Sequence, residues 1–311
     1  MEYYGVNIMW LNLQLFGFRA LWSPYFLIFV VGIGVLYYLI TGPLRYKFGG
    51  QDKPTVKQQF FFYGGLILLY IVKGSPVDLM THITLTAHMI QMAIYLIVFP
   101  IFMVKGIPTW IWEKVLLKPV IRPILKVLTF PLVSIVLFNG LFSLYHIPFI
   151  FDFSKSSPIA HATIHLILLI FGFLVWFPIM SPVKEFEQIK QPLWKIFYIF
   201  GNGLLITPAC VLIIFADTPL FAAYSSTGAW LQALALCVPG DVLDGLAATI
   251  KVTGPELFTS MSTLEDQQLG GIIMKIMQEI AYGVMLARIF FAWFSPEALK
   301  VDPLPSTVSN D

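Results

Sequence analysis

The sequence predicts an all-α integral membrane protein, a polytopic helical bundle of about seven transmembrane helices with the N-terminus outside and the C-terminus inside. Three observations carry this. Of 311 residues, 58% are hydrophobic and 12% charged, with a mean hydropathy of +0.81, which leaves too little polar surface to cover a water-soluble core of this size. Seven apolar stretches match or approach the ~20 residues that a helix needs to cross the hydrocarbon. The basic residues between them fall mostly on one side.

Residues 1–22 lack the basic start, short apolar core and small-residue cleavage site of a signal peptide. They read as an interfacial lead-in, with Trp10, Leu13, Phe16 and Trp22 interleaved with Asn7, Asn12, Gln14 and Arg19. Spans are expected at 21–41, 58–73, 78–103, 124–146, 159–180, 193–216 and 269–294. The second is short and holds Gly64 and Gly65, which suit close helix contact or a kink. Pro100, Pro131, Pro178 and Pro208 fall in or near span ends, where neighbouring helices can satisfy the freed carbonyls. Residues 1–311 form a single membrane domain without an internal repeat, with 217–268 as an extracytoplasmic loop and 295–311 as a cytoplasmic tail.

Charge sets the orientation. The connections after spans one, three and five, with the tail, hold thirteen Lys and Arg, from Arg45 to Lys300. The other side has Arg19, Lys73, Lys155 and Lys251, so it is the outer one. Lys275 and Arg288 lie inside the last span, where Lys275 can pair with Glu279 one turn on and Arg288 can snorkel to the inner interface. Two cysteines exclude a disulfide-rich scaffold, and basic residues scattered between apolar runs exclude nucleic-acid binding. The chain has no Walker loop, nucleophile elbow, Rossmann fingerprint or His-Glu-x-x-His run, and nothing marks it as an enzyme.

All five histidines gather near the outer face under this topology. His82 and His88 come early in span three, His146 ends span four, and His161 and His165 open span five. Cys210 lies toward the outer end of span six. His161 and His165 are four apart and share a helix face, as do His88 and Met92, and Asp78 and His82, where the carboxylate can fix the imidazole tautomer. His82 and His88, six apart, point about 120° from one another, so they need not serve one ion. We expect His88, His161 and His165 to form the core of a metal site, with His82, His146, Cys210 and Met92 as further ligands. Met274 and Met277 read as packing residues. Cys237, in the long outer loop, is a ligand, a free thiol or a disulfide partner of Cys210. That loop carries Asp217, Asp241, Asp244, Glu256, Glu265 and Asp266 against Lys251, an anionic field that concentrates cations.

Imidazole, thioether and thiolate suit copper, in particular Cu(I), rather than magnesium or calcium. Haem is the alternative cofactor, since His88 with either His161 or His165 could supply two axial ligands. The functions open to such a ligand set are copper handling, electron transfer through a b-type haem, and metal or proton transport. The inner halves of the spans are poor in the acidic residues that a transport route needs.

A chain-wide resemblance joins these residues. Asp78-Leu-Met-Thr-His82, Ala87-His88-Met-Ile-Gln91-Met92, Tyr145-His146-Ile-Pro148 with Asp152, and His161 and His165 resemble the polytopic CtaG family. Thr207-Pro-Ala-Cys210, Cys237-Val-Pro-Gly240-Asp241 and Asp266-Gln-Gln-Leu-Gly270-Gly271 extend the match. The resemblance implies a multi-pass protein of the bacterial cell membrane, an assembly factor for caa-type cytochrome c oxidase that delivers copper to an oxidase subunit. Its expected partners are the oxidase subunits, membrane lipid and an extracytoplasmic copper chaperone. Asp78 and Asp152 are expected to support the ligands.

Overall fold

Proline and capping residues set where the helices begin. In the computed structural model, which describes residues 11–50, 52–250 and 254–294 with the side chains of 246–250 excepted, six α-helices start on proline. Its fixed φ and missing N–H suit the first turn. These are α1 (Pro24–Thr41), α3 (Pro76–Ile83), α7 (Pro131–Tyr145), α8 (Pro148–Ser156), α9 (Pro158–Leu174) and α10 (Pro192–Ile214). Capping boxes, Thr55 with Gln58 and Ser262 with Glu265, open α2 (Val56–Gly74) and α12 (Thr263–Trp293). Between them lie α4 (Leu85–Met92), α5 (Phe99–Gly106), α6 (Ile121–Leu128) and α11 (Thr227–Leu234). No strand occurs among the described residues.

Five helical stretches are long and apolar enough to cross a membrane, or seven if each of two bent pairs is one span. This is a multi-pass membrane protein of all-α architecture, as the sequence predicts. Two expected spans are built differently. The stretch 78–103 breaks at Thr84, so that α3 continues α2 with a 44° bend, and the crossing helix is Leu85–Gly106. The stretch 124–146 turns by 80° between α6 and α7, ahead of Pro131.

The break at Thr84 is held from the far end of the sequence. The Asp266 carboxylate accepts from the amides of Leu85 (2.6 Å) and Thr86 (3.2 Å), groups that the start of α4 leaves unpaired. Gly270 of α12 lets the helices approach, since a Cβ there would lie 3.2 Å from the backbone of Leu85 and Thr86. Gln267 donates to Ile213 O and Gln268 to Ala216 O, closing the end of α10. The run from Asp266 to Gly271 is therefore a joint between three helices. Lys275 pairs with Glu279 at 2.7 Å and reaches Thr207 of α10 at 2.9 Å.

α4 passes into α5 through a π-helical turn, Ala93–Val98, against which α9 packs. Gly172 of α9 sits over it, and a Cβ there would lie 2.7 Å from Leu96 O. The main core forms around this turn, with Met89, Met92, Leu96, Phe138, Phe151, Leu168, Cys210 and Met274 buried together. Residues 11–22 of the lead-in bury Leu13, Phe16, Ala20 and Leu21 with Leu79, Ile83, Trp230 and Phe258. The connection 217–268 carries helices Ala222–Ser225, α11 and Gly240–Ile250. Residues 1–10 of the lead-in and the tail 295–311 lie outside the described residues.

A row of histidines at one end of the bundle

The bends in α2–α3 and α3–α4, with α7 ending and α9 beginning at the same end, bring five imidazoles into a row. Ring centroids run His82 to His161 at 5.5 Å, His161 to His165 at 4.0 Å, His165 to His88 at 6.2 Å and His88 to His146 at 6.3 Å. His82, His88, His146 and His165 are buried and His161 is half-buried. The row is linear. Among the described residues, no three His, Cys, Asp or Glu side chains converge closely enough to hold a metal ion.

Every ring has at least one polar neighbour. Lys73 Nζ lies 3.2 Å from His165 Nδ1, and His165 Nε2 lies 3.1 Å from the Tyr145 hydroxyl. That hydroxyl is 3.5 Å from His88 Nε2. Lys155 Nζ is 3.3 Å from His82 Nδ1 and donates to Thr81 O at 3.1 Å, while Ser154 Oγ faces His161 Nδ1 at 3.5 Å. His146 Nδ1 donates to Phe142 O at 2.7 Å, which fixes the tautomer and leaves a lone pair on Nε2. His146 Nε2 and His88 Nδ1 are buried without a partner, and their rings are adjacent. A buried polar atom without a partner forgoes its hydration, so these two nitrogens on neighbouring rings are the positions of the row that no protein group answers.

The other expected residues fall around the row in different ways. Asp78 does not hold His82. Its carboxylate accepts from Gln91 Nε2 at 2.7 Å and lies 3.9 Å from Lys73, because the side chain faces α2 and α4 rather than along its own helix. Asp152 caps the helix at 222–225, accepting from the amides of Ala222 (3.1 Å) and Ala223 (3.0 Å), and so ties the long connection over α8. Met92 is buried in the core one turn beyond His88. Cys210 is a buried free thiol in α10, its backbone carbonyl close to Gly271. Cys237 is also free, so no disulfide joins the two. Its thiol donates weakly to Leu234 O at 3.5 Å and lies within electrostatic reach of Asp78, Lys155 and Lys73. Burial, and next the Asp78 carboxylate, push the Cys237 thiol up, so it stays protonated at neutral pH.

Sequence reasoning missed two residues of the site, Lys73 and Lys155, which it counted as outer-loop charges. Lys155 is 1% exposed, its ammonium over the rings of Phe151 (5.9 Å) and Tyr224 (5.6 Å). Burial, and next the Lys73 charge, push the Lys155 amine down to about 7. Their signal was in plain sight: on a face with few charges, each sits within a turn of a helix that carries a histidine or adjoins one.

The row thus couples lone-pair donors to one buried and one part-buried amine and a single carboxylate. None of the curated proteins compared matches the chain, and no solved structure does. The family model for the cytochrome c oxidase caa3 assembly factor, Caa3_CtaG, matches residues 35–295, and this span takes in every histidine of the row, both lysines and the Asp266 joint. This multi-pass protein of the bacterial cell membrane belongs to the family of cytochrome c oxidase caa3 assembly factors.

Proposed function

We propose that the chain is a non-catalytic assembly factor that holds copper as cargo at the histidine row and passes it to an oxidase subunit from the extracytoplasmic face. The observation that carries this is the pair of buried, unpartnered imidazole nitrogens, His88 Nδ1 and His146 Nε2, on rings 6.3 Å apart. Two imidazoles suffice for Cu(I), which accepts low coordination, and the ordered row of further rings offers successive stations for an ion in transit. Binding at His88 Nδ1 needs the tautomer whose Nε2–H donates to Tyr145, and rotation of the Tyr145 hydroxyl accommodates it. Lys73 and Lys155 favour a singly charged ion over a doubly charged one, because repulsion scales with its charge. The packing of Phe151 and Tyr145 against His88, at 5.1 and 5.9 Å, favours a bare ion over a macrocycle such as haem. An extracytoplasmic copper chaperone is the donor that fits this reading.

The test is elemental analysis of purified protein loaded anaerobically with Cu(I), for the wild type and for His88→Ala with His146→Ala. The proposal expects bound copper in the wild type and its loss in the double variant, while membrane insertion is retained. His161→Ala with His165→Ala should leave the oxidase without a complete copper centre. Full copper in the His88/His146 variant, or a Soret band in the protein as purified, overturns the reading.

A further inference from the structure

At the end of the bundle away from the histidines, α2, α5 and α12 leave a groove of about 470 Å³ on the outer surface. Its walls are mostly apolar, formed by Phe60, Phe61, Phe102, Ile280 and Val284, and Arg288 also lines it. Phe60, Ile280 and Val284 are 68%, 62% and 52% exposed, so the groove opens sideways, where a spanning bundle meets the acyl chains. Such a face needs no protein partner, since lipid covers it.

What distinguishes this groove from the rest of the lipid-facing surface is the charge above it. Lys57, Lys105 and Arg288 come from three different helical stretches, and Lys105 lies within electrostatic reach of both Lys57 and Arg288. Lys105 also stands over the Phe61 ring at 5.6 Å. Among the described residues none of the three has a carboxylate within salt-bridge distance, whereas Arg122, Lys126 and Lys195 at the same end are all paired. Three cations held together at the edge of the hydrocarbon repel one another, and an anion between them removes that cost.

We propose that this groove binds an anionic phospholipid, its phosphate headgroup among Lys57, Lys105 and Arg288 and an acyl chain along Phe60, Phe102 and Val284. The charged ring alone would suit any phosphate. The apolar walls directly beneath it select a phosphate that carries a chain.

Native mass spectrometry of the detergent-purified full chain, titrated with dioleoyl phosphatidylglycerol or dioleoyl phosphatidylcholine, tests the assignment. The wild type should retain phosphatidylglycerol in preference to phosphatidylcholine. Replacing Lys57, Lys105 and Arg288 by Gln should weaken phosphatidylglycerol about fivefold per charge and leave phosphatidylcholine unchanged. Ala281→Trp fills the groove and keeps all three cations, so it should displace the lipid by sterics alone. Equal retention of the two lipids, or phosphatidylglycerol bound to the triple variant as to the wild type, overturns the proposal. So does competition by glycerol 3-phosphate at the same concentration, which would assign the ring to a soluble anion.

Discussion

Lys155 and Glu185 are both charged residues in segments that join membrane helices, and the protein treats them in opposite ways. Lys155 is enclosed, answered by Thr81 O and His82 from another helix, and its amine is pushed down by burial. Glu185 meets Arg122 at 2.9 Å and Lys126 at 2.8 Å with its side chain 24% exposed. The contrast holds for the two ends of the bundle. At the histidine end Lys73, Asp78, Gln91, Asp152 and Asp266 all spend their polar atoms on groups from other elements. At the opposite end Glu185 and its two cations stay close to solvent. Desolvated polar groups are costly to leave unmade and solvated ones are not, so equivalent deletions should differ in effect between the two ends.

The largest effect should come from Asp266→Ala. It removes the cap on Leu85 and Thr86, two charge-assisted hydrogen bonds at a buried helix start, for about 2–3 kcal/mol. The thermal midpoint in detergent should fall clearly. A midpoint equal to the wild type would show that the joint at Thr84 is held by packing alone. Next comes Gly172→Ala, whose new Cβ would lie 2.7 Å from the Leu96 carbonyl in the π-helical turn, an overpacking cost of about 1–3 kcal/mol. Gly140→Ala in α7, with open space around the added carbon, is the matched control and should be neutral or slightly stabilising. Equal behaviour of the two glycines would remove the close approach of α9 as a constraint.

Sequence periodicity and composition made the apolar spans and the gathering of five histidines at one end legible, because both depend on register along single helices. What decided the site geometry lies between helices. Asp78 and His82 share a face by spacing, yet the nearer partners of Asp78 come from α2 and α4. Thr84 marks the break locally, its hydroxyl accepting from Ala87 N, but the carboxylate that completes the cap on α4 comes from more than 180 residues away, where no local pattern reaches. The 80° turn before Pro131 had a local signal, a proline after Thr129 and Phe130, which hydropathy averaging hid. Lys73 and Lys155 were counted as loop charges because a charge rule assigns side, not depth.

A pH series sharpens the comparison further. Lys155 has its folded pKa lowered from 10.5 to about 7, so the folded state binds fewer protons than the unfolded state between those values. Stability should therefore rise with pH across that window, and be lowest below about 7, where the buried ammonium is fully charged. Lys155→Met removes this contribution and should flatten the rise, most visibly between about pH 8 and 9.5. An unchanged slope in thermal midpoint from pH 7 to 9 would mean that Lys155 is solvated in the working protein.

The smallest effect is expected for Glu185→Gln. Hydrogen bonds from Lys126, and then from Arg122, hold the Glu185 carboxyl below its usual range. Its contribution is present above the ordinary carboxylate pKa and is lost only as pH falls through the lowered value. Near neutral pH the wild type thus has the whole of the pairing, yet solvent and salt screen it, and Gln can still accept from both cations. The thermal midpoint at pH 7 should match the wild type within error, and the small difference seen at low ionic strength should vanish at high salt. A salt-resistant loss of stability would place this pair in the same class as the buried groups at the histidine end, and the division between the two ends would not hold.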